Sequence, residues 1–162
     1  RKIQRKMEHL LGFADACKAN GCIPSRLLIK RSVTELSEEE AKTMNVPTGS
    51  KAVLIERVDL ADGIPMIYES NLFPYPDESL DGSLYQLLKD SYHIQVKGSR
   101  NSYLELVRAS GSLAKHLRVT NGEPLFYLYS EIFDTDYNLV HICRDYIRGE
   151  QYRFYMDDYT RP

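Results

Sequence analysis

Arg57, Asp59 and Glu69 fall within residues 55–73, "IERVDLADGIPMIYESNLF", two strand-like runs joined by Asp62-Gly63. A half-buried strand alternates apolar and polar positions, and these charges stand where a folded domain has to put them to use. An arginine fork grips a carboxylate or phosphate bidentately, while a carboxylate accepts from hydroxyls or an amine. Ser83 opens a predicted helix, whose free N–H groups favour an anion. Arg144, Tyr146, Arg148 and Tyr152 on the last predicted strands add cations, together with rings and hydroxyls suited to a sugar. The plainer reading is a cross-strand Arg57–Glu69 ion pair, worth less than about 1 kcal/mol if exposed. Spacing alone leaves both readings open.

Other chemistries find little support. His9, His93, His116 and His141 form no HxxxH or HExxH pattern, and Cys17, Cys22 and Cys143 form no CxxC, so no metal site is expected. A nucleophile elbow and a glycine-rich phosphate loop are both missing, and no cofactor is implied. His141, inside a strand, reads as a hydrogen-bonded structural residue. Three cysteines without paired spacing suit a reducing cytoplasm. With 21 basic and 23 acidic residues the net charge is -2, which gives no positive field for gripping a phosphate backbone. No apolar run approaches the roughly 20 residues of a membrane span, and no secretory leader is visible.

The elements that must position these groups are short and repeat. "AKTMNVPTG" at 41–49 and "AKHLRVTNG" at 114–122 share Ala, Lys, Val and Gly in register. Each follows a β-rich run, "SRLLIKRSV" or "NSYLELVRA", and precedes two further strands, so both halves read strand, short helix, strand, strand. Ser37 with Glu40 predicts a capping box and Gly49 a stop; Ser112 and Gly122 frame the second copy. Ser83 with Gln86 caps a helix between the halves, and a longer helix is predicted over residues 3–20, with Met7, Leu10, Leu11 and Ala14 at helical spacing. These elements predict a single α+β domain over residues 1–162, a mostly antiparallel six-stranded sheet with helices covering one face.

The hairpin register decides which face the charges take. A three-residue loop Ala61–Gly63 with a G1 bulge puts Arg57 opposite Ile67 and Glu69 opposite Ile55, with Arg57, Asp59 and Glu69 on one face. A two-residue Asp62-Gly63 turn sends Glu69 to the other face.

Taken in order, "LLGFADACKANGCIPSRLLI", "LSEEEAKTMNVPTG", "IERVDLADGIPMIYESNLFP", "SLYQLLKDSYHIQV", "LAKHLRVTNGEPLFYLYSEIFD" and "YIRGEQYRF" resemble the UTRA domain of the HutC branch of GntR-type bacterial transcription regulators. The resemblance runs from about residue 10 to 154. It implies a chorismate-lyase-like fold, a small effector, a homodimer, and an N-terminal winged helix-turn-helix that binds operator DNA and would precede Arg1. It also implies that Arg57 holds the effector's phosphate or carboxylate and that Glu69 takes its hydroxyls or amine. Ser83 would open the helix facing the ligand, Phe13 would close over the pocket, Tyr152 would line the far wall, and Tyr146 would be its neighbour. Joint contact of Arg57 and Glu69 with one ligand favours the three-residue hairpin.

Two departures bear on the effector. Phosphosugar-sensing members commonly read Arg-x-Arg where this chain has Asp59, and Ala14 replaces the small hydroxyl residue after the Phe. An acid in place of one anion clamp disfavours a phosphate and points to a less anionic or amine-bearing effector, although Arg57 with the Ser83 helix still suits one phosphate. The expected function is a cytoplasmic sensing domain for a sugar, sugar phosphate or amino-sugar derivative, not an enzyme. Its rivals are a lyase on the same fold, for which only Glu69 and His141 offer acid–base groups, and a dimerisation module with no ligand.

Overall fold

The computed structural model describes residues 2–6, 12–74 and 96–158. In chain order these form β1 (Ile3–Lys6), α1 (Phe13–Ala19), β2 (Pro24–Glu35), α2 (Glu38–Met44), β3 (Lys51–Ala61), β4 (Ile64–Pro74), β5 (Val96–Arg108), α3 (Gly111–Leu117), β6 (Pro124–Asp134), β7 (Leu139–Arg148), a 3-10 turn (Gly149–Gln151) and β8 (Tyr152–Tyr155). Six strands make one antiparallel sheet in the order β2-β3-β4-β7-β6-β5, while β1 and β8 pair in parallel as a separate ribbon. The sheet is two β-α-β-β halves, β2-α2-β3-β4 and β5-α3-β6-β7, joined where β4 pairs with β7. No helix among the described residues is long and apolar enough to cross a membrane.

The repeated motif explains why the halves look alike. In α2 the buried residues are Ala41 and Met44; in α3 they are Ala114 and Leu117 at the same positions. Each helix ends on a left-handed residue, Asn45 (φ 56°) or Arg118 (φ 54°). The next residue closes the end: Val46 N–H donates to the Ala41 carbonyl and Val119 N–H to the Ala114 carbonyl, both at 3.0 Å, the bond that satisfies orphan carbonyls at a helix C-terminus. The shared Ala and Val are therefore a helix stop written twice. At the N-termini the halves differ. Ser37 and Glu40 form the expected capping box, whereas the second helix begins after Ser110, which makes no side-chain cap bond, and not at Ser112.

The first hairpin follows neither expected register throughout. Its turn is the two-residue one, with Ala61 paired to Ile64 and positive φ at both Asp62 (51°) and Gly63 (78°), the backbone whose twist matches a hairpin. A bulge then lets Met66 slip out of the ladder, so that Leu60 pairs with Pro65 but Asp59 with Ile67. The bulge restores the parity that the turn removes. Arg57 pairs directly with Glu69, and Arg57, Asp59 and Glu69 share one face after all.

The N-terminal segment also differs from expectation. Residues 3–6 are strand, because β8 offers them a parallel ladder from Ile3↔Tyr152 onward, and the helix is confined to Phe13–Ala19. Its buried residues are Phe13, Ala16 and Cys17, a different stripe from the one predicted; Met7, Leu10, Leu11 and the whole predicted Ser83 helix lie outside the described residues. Helices cover both faces of the sheet, not one. Met44 of α2 packs with Leu72 and Ile142, and Leu117 of α3 with Leu125 beside Tyr68 and Tyr146, all on one face. On the opposite face Phe13 and Cys17 of α1 join Ile67, Ile147, Ile3 and Tyr152 at one end of the sheet. Beyond that cluster the second face forms a cleft.

Candidate functional site

The cleft has a volume of about 290 Å³, and its floor is the central sheet. Strand alternation decides what enters it. From β3 come Arg57 and Asp59, from β4 Ile67, Glu69 and Asn71, from β7 His141, Cys143 and Asp145, and from β6 Leu128, Ser130 and Ile132. Register aligns these in rows: Glu69 lies opposite Asp145, Asn71 opposite Cys143, Ser130 opposite Cys143 and Ile132 opposite His141. Arg26 of β2 reaches in from one edge, Ser99 and Ser102 of β5 from the other, and Arg5, Phe13 and Phe154 close the near end.

The charges form a network at the centre. Arg57 Nη2 donates to Glu69 Oε1 at 3.0 Å, and Asn71 Nδ2 donates to the same oxygen at 3.2 Å. Arg26 Nε donates to Asp59 Oδ1 at 2.8 Å, and its Nη2 lies 3.5 Å from Glu69 Oε2. Asp59 is fully buried and Glu69 is 7% exposed. Burial raises the pKa of both carboxyls. For Glu69 the hydrogen bond with Asp59 and the charges of Arg57 and Arg26 outweigh it, bringing the group down to about 2. Asp59 takes the opposite course, since burial and its hydrogen bond and repulsion with Glu69 overcome Arg26 and push it up to about 9. Arg26 is 41% exposed, so solvent weakens its hold on Asp59.

Asp145 is pushed up to about 7 by burial and the charge of Glu69, against the opposing field of Arg5. His141 is lowered to about 4, chiefly by burial, and is therefore neutral near pH 7, with its ring stacked on Phe73 at 4.8 Å. Buried side-chain atoms of this region with no hydrogen-bond partner among the described residues include Asp59 Oδ2, His141 Nδ1 and the Tyr152 hydroxyl. Unpaired buried polar groups cost stability, so they mark a place where an incoming molecule gains contacts.

Of the residues expected at a site, the structure brings Arg57, Asp59, Glu69 and Phe13 to this cleft. Tyr152 is 2% exposed and lies behind the wall in the cluster of Ile67 and Ile147, not on the lining. Tyr146 stands on the other face, its ring 5.0 Å from that of Tyr127. Arg144 points the same way, pairing with Glu40 at 2.9 Å, and Arg148 pairs with Glu123 at 3.0 Å. Ser83 lies outside the described residues. Sequence reading missed Arg26, Asn71, Cys143 and Asp145 as members of the site, and on β7 it selected the even-numbered residues when the odd ones face the cleft. No group of three or more His, Cys, Asp or Glu is placed to hold a metal among the described residues.

An antiparallel sheet with a polar, ionic cleft on one face has the arrangement of a small-molecule binding domain. Comparison with known proteins gives the family. The UTRA domain family matches residues 19–153, and the chain belongs to it, the effector-binding domain of GntR-family transcriptional regulators. The chain is 24% identical over 164 residues to the HTH-type transcriptional repressor NagR of Bacillus subtilis, covering 96% of this chain and 67% of that protein. It is likewise 24% identical, with 97% and 67% covered, to a probable fructoselysine utilization operon transcriptional repressor of Escherichia coli. The crystal structure of PhnF from Mycobacterium smegmatis superposes with a TM-score of 0.83 at 23% identity, covering 99% of this chain and 73% of that one. The PhnF effector domain alone gives 0.81 at 24% identity, covering 98% and 100%. The expected α+β, chorismate-lyase-like fold is therefore the observed one. NagR is a transcriptional repressor and the Escherichia coli relative a probable one, and the lyase reading is set aside on that ground.

Proposed function

We propose that this domain senses a small polar metabolite, a sugar or sugar derivative, in the cleft floored by Arg57, Asp59, Glu69 and Asp145, and passes occupancy to an attached winged helix-turn-helix that binds operator DNA. The observation that carries this reading is the buried ionic network itself. Arginines 5, 26 and 57 and the carboxyls of Asp59, Glu69 and Asp145 converge on one cleft where an apolar core would be more stable. Serines 99, 102 and 130 and Asn71 add hydroxyl and amide groups to the lining. The fructoselysine association of one relative's name supports a sugar-derived effector.

Transmission works by population shift: the ligand must bind one arrangement of the regulator more tightly than another. A two-fold operator calls for a two-fold protein, and the long edge strands support a homodimer, with Leu27, Leu28 and Val33 exposed on β2 and Leu104 and Leu106 on β5.

A thermal-shift screen of the chain and its Arg57→Ala variant against sugars, sugar phosphates, amino sugars and sugar–amino-acid conjugates tests the reading. Ligand at about 100 times its dissociation constant adds roughly 2.7 kcal/mol of apparent stability. A hit on the parent that weakens in the variant supports effector binding in this cleft. Silence across the panel favours a ligand-free dimerisation module.

A further inference from the structure

Three arginines and three carboxyls line the cleft, but among the described residues only two of the carboxyls are held in ion pairs. Arg57 is committed to Glu69 at 3.0 Å, and Arg26 to Asp59 at 2.8 Å with a longer contact to Glu69. Asp145 has no such partner among the described residues. It is 9% exposed, and its one hydrogen bond among them comes from the Cys143 thiol, which donates to Oδ1 at 3.3 Å. Arg5 acts on Asp145 through space without an ion pair between them.

The position of Asp145 makes this expensive. It is the direct cross-strand partner of Glu69 on the cleft face, where like charges repel. Asp59, fully buried one strand further over, keeps its proton for its hydrogen bond with Glu69 and adds no second charge there. Glu69 and Asp145 therefore stand side by side on the cleft face, and of the two only Glu69 has an ion pair among the described residues. A hydroxyl supplies one donor and no charge, so it leaves the repulsion between Glu69 and Asp145 in place. An ammonium group supplies three donors and a positive charge at the same spot.

We infer that the effector carries a protonated amine, seated at the inner end of the cleft between Asp145 and Glu69 and donating to the Asp145 carboxylate. The inference rests on the sensing function proposed above and adds the chemical class of one end of the ligand. The rest of that ligand lies toward the serines of β5 and β6 and the arginines at the rim. Asp145 is then the residue that separates amine-bearing effectors from neutral and acetylated analogues.

The test uses matched probes: glucosamine, glucosamine 6-phosphate and a sugar–lysine conjugate, each against its counterpart with the amine replaced by hydroxyl or blocked by acetylation. Binding to the chain is measured by calorimetry for the parent, Asp145→Asn and Asp145→Glu. An amine-bearing probe should bind about ten-fold or more tighter than its counterpart. Asp145→Asn should reduce that preference to about two-fold or less, while Asp145→Glu, which keeps the charge, should retain most of it. Tightest binding by a neutral or acetylated probe overturns the amine inference and leaves the sensing function standing. So does an amine preference that survives in Asp145→Asn. If every probe fails on the parent, the sensing function falls for these classes, and the inference falls with it.

Discussion

Arg57 and Glu69 are direct partners across the β3–β4 ladder, joined at 3.0 Å, only because the bulge at Met66 reverses the parity set by the two-residue turn. With side chains 14% and 10% exposed, the pair is largely desolvated, so it is unlike the surface pairs that contribute little. Replacing Arg57 by Ala leaves Glu69 buried with Asn71 and a longer contact to Arg26. The expected loss is about 2–3 kcal/mol, below the roughly 3–5 kcal/mol of an isolated broken pair because those contacts remain. Urea unfolding measures it. Adding Glu69→Gln should restore more than half of the loss, since no uncompensated charge then stays buried.

The two halves provide an internal control for capping. Ser37 accepts from Glu40 N–H at 3.1 Å while Glu40 Oε1 accepts from Ser37 N–H at 2.9 Å; the matching residue, Ser110, makes no cap bond. Ser37→Ala should therefore cost about 1 kcal/mol. Ser110→Ala should stay within about 0.5 kcal/mol of the parent. Equal losses in thermal melts would show that the halves share a capping energy despite their different geometry.

The helix stops make a second comparison. Asn45 and Arg118 hold the same left-handed backbone, φ 56° and 54°, but asparagine tolerates that region and arginine does not. Arg118 is exposed, so its replacement forfeits no buried packing. Arg118→Gly should raise stability by about 0.5 kcal/mol, the relief of left-handed strain less the extra entropy glycine loses on folding. Asn45→Gly should gain less. A melting temperature for Arg118→Gly below the parent's would refute this account.

These positions also show how far the sequence could be read. The repeat at 41–49 and 114–122 was legible because a helix stop is local: an Ala, a Val and a Gly at fixed offsets specify it. Arg57 and Asp59 were legible as a pair, since alternation along one strand places them together, whereas Glu69 joined them only through the family resemblance. The bulge was not, because nothing local to Met66 distinguishes a residue in the ladder from one that has slipped out of it. Asp145 was hidden for a different reason: its place opposite Glu69 depends on β4 pairing with β7, a contact between halves that no local pattern encodes. The strand at residues 3–6 was missed likewise, because β8 lies at the far end of the chain.

The titrating groups of the cleft give opposing pH dependences that mutation can separate. Asp145 and Asp59 have folded pKa values above their ordinary 3.8, at about 7 and about 9. The folded state then holds more protons than the unfolded one, so their contributions are most favourable below pH 3.8 and are lost as pH rises through those values. His141 behaves oppositely: its folded value near 4 lies below 6.5, so burying it neutral costs nothing above pH 6.5 and destabilises progressively as pH falls toward 4. Between about pH 4 and 6.5 the rise from His141 and the fall from Asp145 overlap and offset each other, and the fall from Asp59 continues to about pH 9. Asp145→Asn should make the decline shallower between about pH 4 and 7, and His141→Gln should make it steeper between about pH 4 and 6.5. Urea midpoints across that range check both variants. If Asp145→Asn left the slope between about pH 4 and 7 unchanged, Asp145 would not be the buried carboxyl that loses its proton there, and the crowding of Glu69 and Asp145 would have to be relieved by the fold itself.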